Sequence, residues 1–450
     1  MDNISDIFIH NILDISRQKF YEKDFLKIRE LFLDYIGVTL GGDKFNEEKI
    51  HSLLKELPET GNSPILGQDL LTDPSASALV NGMNAHVLEL DDGNRIGMLH
   101  IGALVFSALL SISLKEKLDS NSFFKAALIG YEATIRLAMA IQPDAKLKGL
   151  HATGVCGTVG ASLAVAFALD YSFEQIKSTL AAACTSASGL LEMIVGESEL
   201  KIFNAGNAAM EAVVSALIGK INFKSPRDPI GGKRGFLNLF SNNPKLNHLM
   251  DFGNSELKIH SVYLKPYAAC RHCHPSIEAA INLRKNKNFG LDNIDKIKVS
   301  TYNLAINGHD HKKIDGVASA KMSIPYSLGV ALLTGKAGLN EFTTEYINIP
   351  QLQEIIEKVE ISENPEFTAL CPSQRIAEVE IVSNSGISYS FKTVYPKGEP
   401  ENPLAREELT SKFKGLAQYA GLKQNNIDNI LELVLNKNFD IKEIVDLCRP

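Results

Sequence analysis

The sequence predicts a mostly α-helical protein with a smaller α+β part, and three observations support this prediction. Apolar residues recur at helical spacing through the first 220 residues, in segments rich in Ala, Gly and Ser that are typical of closely packed helices. After about residue 260 the spacing changes to the alternation typical of strands. From about residue 400 the helical spacing returns, so both ends of the chain are predicted to build one helical domain.

The predicted domain organisation follows from the change to strand-like spacing near residue 260 and the return of helical spacing near residue 400. We predict a large all-α domain formed by residues 1–262 and 400–450, with residues 263–399 inserted as a smaller α/β domain. A chain of 450 residues is long for one domain and comfortable for two. Its 45% hydrophobic and 22% charged residues are ordinary for a globular protein, so a large core can form.

Composition also excludes several classes of function. A net charge of −7 without a basic cluster argues against a nucleic-acid partner. The N-terminus has early acids and no apolar signal region, and no apolar run appears long enough to span a bilayer. Six cysteines without a framework indicate reduced thiols, so we expect a cytoplasmic protein.

The predicted helices of the first part follow one another with short breaks. The second is predicted to end at Gly41 and Gly42, because glycine commonly closes a helix, and residues 63–67 form a brief extended passage. The helices span residues 4–13, 25–40, 46–57, 75–88, 103–114, 122–141, 154–169, 173–191 and 205–220.

The later part mixes strands with helices. Gly386 lies in a predicted hairpin turn between the last two strands. The predicted strands are 296–302, 377–382 and 388–393, and the helices are 275–285, 323–334, 406–420, 426–435 and 441–447.

The stretch from residue 81 to residue 102 is the first candidate for chemistry. Asp91 and Asp92 are adjacent, so their charges repel unless a cation such as Arg95 or His100 lies nearby. Gly93 breaks the helical pattern, which places the acids at a helix end or in the turn beyond it. A polar loop with a solvated ion pair would explain the same residues, and both readings stay open here.

Polar residues also begin two later helices. His151 and Thr153 enter a Gly-rich helix start, where free backbone N–H groups favour an anion. Thr153 could instead merely cap that helix, which would leave His151 unexplained. Lys201 precedes another helix of small residues, although a lone lysine is normally a solvated surface residue.

The segment KPYAACRHCHP (265–275) holds two cations, two histidines, two thiols and a tyrosine just before a helix. Its C-x-x-C-H pattern is that of c-type haem attachment, but such attachment needs export and the chain shows no signal. A structural zinc site needs four ligands, and a second Cys/His pair at suitable spacing does not appear. We therefore expect no metal, and predict a cationic patch suited to anionic oxygens. Tyr326 follows a proline at another helix start, where a core tyrosine is the commoner case.

Taken together, these places resemble the MmgE/PrpD family in order and spacing, and the resemblance covers nearly the whole chain. The segments that carry it are LELDDG, GYEATIRL, HATGVCGTVGA, LKIFNAGNAA, GFLNLF, KPYAACRHCHP, AKMSIPYSLGVALLTG and PKGEPENPL. The resemblance implies a large all-α domain from both chain ends, a small α/β lid domain and a homodimer. Known members act on small di- and tricarboxylates without an iron–sulfur cluster, as 2-methylcitrate dehydratase, cis-aconitate decarboxylase and iminodisuccinate epimerase.

The resemblance also implies a site between the two domains. By motif, its residues are His100, His151, Lys201, His274 and Tyr326. The shared chemistry is proton transfer at a carbon next to a carboxylate, which needs a base, an acid and cations to hold carboxylates.

We assign provisional roles on that basis. His100 is the expected base, assisted by Asp91 or Asp92, and His274 and Tyr326 are the expected proton donors. The expected substrate-binding residues are Lys201, Arg271, Arg95, Thr153 and Lys265, together with the helix N-terminus at Gly154.

Three departures from the family pattern bear on the substrate. Gly93 stands where relatives commonly carry threonine, Ile101 where they carry proline, and Asn204 where several carry histidine. The sequence therefore predicts a cofactor-independent lyase, most like 2-methylcitrate dehydratase. The alternatives are a cis-aconitate-type decarboxylase, an iminodisuccinate-type epimerase and, from another class, a non-catalytic carboxylate-binding homologue.

Overall fold

The computed structural model describes residues 3–58, 60–196, 198–252, 256–285, 290–436 and 439–449. Helices dominate, and strands are concentrated in the later part, so the predicted fold class is confirmed. The helices of the first part are α1 (Ile4–Arg17), α2 (Glu22–Phe45), α3 (Glu47–Leu54), α4 (Pro74–Val87), α5 (Gly102–Ser113), α6 (Ser120–Ile141), α7 (Asp144–Leu147), α8 (Ala152–Ala168), α9 (Phe173–Ser186), α10 (Lys201–Ile221), α11 (Phe236–Phe240) and α12 (Asn247–Met250).

Helices α4, α5, α6, α8 and α10 form the centre of this part. Every residue from 152 to 166 of α8 is buried, as its Ala- and Gly-rich sequence predicts. Helix α2 corrects one prediction, because it continues through Gly41 and Gly42 to Phe45. A Cβ on Gly42 would overlap the backbone oxygen of Asn84 in α4. This glycine therefore permits a close helix crossing and does not end the helix.

The later part contains a four-stranded sheet of β5 (Ile294–Thr301), β6 (Val359–Glu363), β7 (Ala377–Ser383) and β8 (Ser388–Thr393), in the order β6-β5-β7-β8. β5 pairs in parallel with β6 and antiparallel with β7, and Gly386 turns the β7–β8 hairpin at φ 79°. The prediction missed β6, a strand of five residues at the edge of the sheet. The helices of this part are α13 (His274–Arg284), α14 (Asn303–Ile306), α15 (Val317–Met322), α16 (Ile324–Thr334), α17 (Thr344–Ile347), α18 (Pro350–Glu357) and α19 (Pro365–Leu370).

The tail returns to the first part as α20 (Arg406–Tyr419), α21 (Gln424–Leu435) and α22 (Ile441–Leu447). Helix α20 packs against α2, and Lys412 Nζ lies 2.6 Å from both Oδ1 of Asp34 and the carbonyl oxygen of Leu90. The tail is thus tied to the loop that carries the adjacent aspartates.

Short strands supply the connection that matters most for the site. β1 (Ser63–Pro64) pairs with β2 (Leu71–Thr72), and β3 (Gly93–Asn94) pairs antiparallel with β4 (Val262–Tyr263). The second pairing places the loop after α4 beside the segment that leads to Lys265.

Helix α10 is long and apolar enough to cross a bilayer, and among the described residues it is the one helix that meets this criterion. This differs from the sequence-based expectation that the chain has no apolar run of that length. Just over half of its apolar window, 56%, is buried against other helices. Core helices commonly share these properties, so the observation is weak support for a membrane span.

Candidate active site

A cavity of about 840 Å³ is bounded by side chains from both parts of the chain. Four of the predicted site residues, His100, His151, Lys201 and Arg271, line it. Several titratable side chains that the prediction did not include as site residues also line it, among them Lys146, Tyr263, Cys270, His272, His309 and Arg375.

His100 is held at the cavity by the loop after α4. Its Nδ1 lies 2.7 Å from the backbone oxygen of Asp92 and 3.2 Å from Oδ2 of Asp91. Because a carbonyl oxygen can only accept, Nδ1 carries the proton of the neutral ring, which leaves the Nε2 lone pair for the cavity. Burial lowers the pKa of His100 to about 4, although the Asp91 charge opposes this shift. Near neutral pH His100 is therefore an uncharged base.

Asp91 holds a second histidine that the prediction did not single out. His86, at the end of α4, places Nδ1 2.7 Å from Oδ2 of Asp91, and its ring centroid lies 4.8 Å from that of His100. Asp91 is 2% exposed, so the alternative of a solvated ion pair does not hold. Burial would raise the pKa of Asp91, but His100, His86 and Lys265 outweigh burial and hold that pKa well below its usual value.

A second buried acid, Glu89, balances two lysines. Lys201 Nζ contacts Oε1 of Glu89, and Lys265 Nζ lies 3.0 Å from Oε2 of Glu89 and 3.4 Å from Oδ1 of Asp91. Lys265 is fully buried and absent from the described cavity lining, so it neutralises acids and has no surface for a substrate. Lys201 lines the cavity and is the cation of this cluster that a substrate can reach.

Asp92 and Thr153 hold the backbone around His100 in place. Asp92 Oδ1 accepts hydrogen bonds from the backbone N–H groups of Ile101 (3.2 Å) and Gly102 (2.8 Å) at the start of α5. Its Oδ2 accepts from the Tyr131 hydroxyl at 2.5 Å. Helix α8 begins at Ala152 without a side-chain cap, and Thr153 Oγ1 instead accepts from the His100 backbone N–H at 3.2 Å. Thr153 is not in position to contact substrate, contrary to the role predicted for it, whereas Asp92 does contact His100, through its backbone oxygen.

Arg271 lines the cavity, but its donors are already used. It donates from Nε and Nη2 to Oε1 of Glu399, from Nη1 to His274 Nδ1 at 2.8 Å, and to the backbone oxygens of Pro396 and Lys397. His274 Nε2 lies 3.1 Å from the Ala269 oxygen, so both of its ring nitrogens are also occupied. Arg271 as a carboxylate clamp and His274 as a proton donor are therefore not supported by the geometry.

Two further predicted residues lie away from the described cavity lining. Tyr326 is fully buried, and its hydroxyl donates to the Glu341 backbone oxygen at 2.8 Å. Arg95 pairs with Glu399 at 2.9 Å and with Glu401, and does not compensate the aspartates. The helical periodicity places Tyr326 in the core, the commoner case for a lone tyrosine.

His151 stands at the N-cap position of α8 and faces the cavity. Its ring centroid lies 6.0 Å from that of His86, and its Nδ1 is buried without a hydrogen-bond partner among the described residues. Burial lowers the pKa of His151 well below its usual value, so it is a second uncharged imidazole. Gly154 lies beneath the Ser188 backbone oxygen, which restricts access to the N-terminus of α8.

Further cations lie on other sides of the same cavity. Lys146 Nζ lies 2.7 Å from His272 Nε2, whose Nδ1 lies 2.6 Å from the Tyr302 hydroxyl. Burial lowers the pKa of Lys146 to about 8. Arg375 is 4% exposed, and its Nε has no hydrogen-bond partner among the residues described. Lys146, Lys201 and Arg375 give the cavity the charge that a molecule with several carboxylates needs.

One group of described residues could converge on a metal ion. The ligand atoms of His86, Asp91 and His100 lie within 4.8 Å of one another. Oδ2 of Asp91 is in contact with Nδ1 of both histidines, and hydrogen bonding accounts for this arrangement. At the predicted cationic patch, His272 and His274 bond to different neighbours and do not converge. The expectation that the protein has no resident metal stays a prediction, to be tested by metal analysis.

Comparisons with known proteins show the family of this chain. The MmgE/PrpD N-terminal domain model matches residues 12–249, and the C-terminal domain model matches residues 267–437. Cis-aconitate decarboxylase of Aspergillus terreus is 25% identical over 450 residues, covering 94% of this chain and 91% of the relative. The human cis-aconitate decarboxylase is 24% identical over 422 residues, covering 91% and 86%. A cis-aconitate decarboxylase-like protein of Aspergillus oryzae is 24% identical over 453 residues, covering 94% and 92%. Because the two family models together match most of the chain, this protein belongs to the MmgE/PrpD family.

Proposed function

We propose that this protein is a lyase that acts on a small di- or tricarboxylate by proton transfer at a carbon next to a carboxylate, with no cofactor. One observation carries the proposal: an uncharged His100, oriented by Asp91, opens onto the same cavity as Lys201, Lys146 and Arg375. A neutral imidazole can take a proton from carbon, as dehydration and epimerisation require. In every candidate reaction the cations can hold carboxylates and the charge that develops beside them.

Decarboxylation of a cis-aconitate-like tricarboxylate is the first reaction that we propose. The curated relatives described above carry that activity, or likeness to it, in their names. Tyr326, an expected proton donor, hydrogen-bonds within the core and therefore favours neither decarboxylation nor dehydration. Dehydration keeps the support of the His100 base, since removal of a proton from carbon begins that reaction.

The experiment is proton NMR in D₂O of purified protein with cis-aconitate, citrate, 2-methylcitrate and iminodisuccinate. Conversion of cis-aconitate should give new vinyl signals together with one carbon-bound deuterium in the product, for each CO₂ released. New vinyl signals from 2-methylcitrate alone would favour the dehydratase. Deuterium exchange at an α-carbon of iminodisuccinate alone would favour an epimerase.

Silence across the panel from folded protein would contradict the proposed function. A rise in melting temperature with the same compounds would then favour the carboxylate-binding homologue, because a ligand that binds the folded state stabilises it.

A further inference from the structure

The cavity contains a thiol–imidazole pair that neither the sequence prediction nor the proposed base uses. Cys270 precedes α13, and His309 follows α14. Cys270 Sγ lies 3.8 Å from His309 Nε2, and both residues line the same cavity as His100. The thiol is partly exposed, whereas Cys156, Cys273 and Cys448 are buried.

The hydrogen bonds of His309 determine which of its nitrogens faces the sulfur. Its Nδ1 lies 2.8 Å from the Met322 backbone oxygen, which can only accept, so Nδ1 carries a proton. The contact at Nε2 is then either S–H···N or a thiolate beside an imidazolium. In both forms the pair holds one transferable proton at the cavity.

The surroundings of Cys270 make its thiol a stronger acid. Burial would raise the pKa of Cys270, but the charge of His309, its hydrogen bond and the charge of Lys201 outweigh burial and lower it. Several titratable groups interact with Cys270 through their charges, and each interaction shifts the pKa of Cys270 or of the other group. These groups are His309, Lys201, Glu89, Lys146, Lys265, Cys273 and Tyr302. Cys371 is also partly exposed, yet burial raises the pKa of its thiol, which makes it a matched comparison.

We propose that Cys270, paired with His309, is a catalytic residue that contacts the substrate and donates the proton that the reaction consumes. The inference rests on the proposed function and deepens it. Decarboxylation replaces CO₂ by hydrogen on carbon, so a proton must be supplied. A neutral His100 has none on Nε2, whereas the Cys270–His309 pair has one.

The step balances as follows for a tricarboxylate. The C–C bond to the departing carboxylate breaks, CO₂ leaves, and the bonding electron pair stays on the substrate, delocalised toward a remaining carboxylate. That pair forms a new C–H bond with the Cys270 proton, and sulfur keeps the S–H electron pair as thiolate. A proton from solvent then restores the pair through His309, so one proton is consumed for each CO₂ released.

The first test does not depend on turnover. Full-length protein is treated with iodoacetamide from pH 5.5 to 9, and each cysteine is quantified by peptide mass spectrometry. Because the thiolate is the form that reacts, Cys270 should label at least about tenfold faster than Cys371 at pH 6.5. Saturating cis-aconitate should slow labelling of Cys270 only, and His309→Asn should move its profile toward that of an ordinary thiol. Equal labelling of the two cysteines, or no protection of Cys270, would overturn the proposal.

The second test measures the reaction. Cys270→Ser should lower kcat by about 10²–10³-fold with a smaller change in KM, because a hydroxyl is a much weaker acid. Cys371→Ser should leave both unchanged, and melting temperatures check that each variant is folded. If the wild type is active and the Cys270→Ser variant is equally active, the donor role is overturned and the proposed function is left intact. Inactive wild type across the NMR panel would overturn both, whatever the labelling shows.

Discussion

His86 Nδ1 lies 2.7 Å from Oδ2 of Asp91, so the carboxylate that orients the candidate base is itself held by a second histidine. The three side chains lie on a short stretch of chain, and each is largely shielded from solvent. One buried acid therefore fixes the position of two imidazoles beside the cavity.

Asp91→Asn should lower kcat by about 10²–10⁴-fold with a smaller change in KM. The Asp92 backbone oxygen still holds the proton on His100 Nδ1, but the amide lacks the negative charge that would stabilise His100 once the ring has taken a second proton. Steady-state kinetics on whichever substrate the NMR panel identifies would measure this. Asp14→Asn, at an exposed ion pair, is the matched control. A change in kcat below about threefold for Asp91→Asn would show that His100 needs no such support.

Lys201→Ala should lower kcat/KM at least about tenfold, which corresponds to about 1.4 kcal/mol, because the cavity loses a carboxylate-binding cation. Glu89 keeps Lys265 as a partner, so the protein should still fold. Kinetics and thermal unfolding should be compared with Lys23→Ala, whose side chain is 61% exposed. Kinetics equal to wild type would show that Lys201 does not contact the substrate.

Asp92 should make the stability of the protein fall as pH rises through the weakly acidic range. Burial raises the pKa of Asp92 from 3.8 to about 6, so between these values the folded state binds more protons than the unfolded state. This contribution is fully present below pH 3.8 and is lost as pH rises through about 6. Comparing wild type with Asp92→Asn isolates it, because asparagine does not titrate. The difference in unfolding free energy, measured with urea, should fall by about 2–3 kcal/mol between pH 4 and pH 7.

If the difference in unfolding free energy between wild type and Asp92→Asn does not change with pH, then Asp92 titrates equally in the folded and unfolded states. His100 acts in the opposite sense: its lowered pKa contributes stability above pH 6.5 that is lost as pH falls toward about 4. For this reason the difference between wild type and variant, and not the wild-type curve alone, is the relevant measurement.

Gly93→Ala should destabilise the protein by about 1–3 kcal/mol. A Cβ at this position would overlap the Tyr263 side chain and lie 2.8 Å from the Leu99 backbone oxygen. Gly415→Ala in α20 is the control, since its Cβ would meet open space and should stabilise the helix by about 0.5–1 kcal/mol. Denaturant unfolding measures both, and an additional Tyr263→Leu substitution should recover part of the loss. A harmless Gly93→Ala would show that β3 and β4 separate at little cost.

A homodimer, implied by the family resemblance, should depend on the outer face of α10. Val214, Leu217 and Ile221 are exposed along this helix, and large apolar patches commonly mark interfaces. Leu217→Asp should convert a dimer to a monomer in light scattering after size-exclusion chromatography. Ile387→Asp, at the exposed hairpin turn of the small sheet, should leave the oligomeric state unchanged. A dimer that survives Leu217→Asp would place the interface elsewhere.

The sequence predicted most helices because their apolar spacing is local information. It placed His100, His151 and Lys201 at one site through motifs, and the structure brings them to one cavity. The error at Gly41 and Gly42 has a different origin, because a glycine that admits a neighbouring helix looks the same in sequence as one that ends its own.

The missed site residues depend on contacts between distant segments. Glu89, which the prediction missed, is separated from its partner Lys265 by 176 positions, and Cys270 is separated from His309 by 39. The roles predicted for Arg271 and His274 from the segment 265–275 are not supported for the same reason. Glu399 lies far along the chain and already accepts hydrogen bonds from Arg271. Composition indicated a cationic patch, but pairing partners decide which cations remain available to a substrate.

The pairing of Gly93 with Tyr263 has a consequence for synthesis of the chain. The partners are about 170 residues apart, so this contact forms only after the whole first helical part has left the ribosome. Until then Glu89 and Asp91 lack Lys265, whose buried charge helps to balance both acids, and losing part of that compensation costs free energy. A fragment that stops before residue 262 should therefore resist final compaction at this loop. Completion of the candidate site thus reports that translation has passed the middle of the chain.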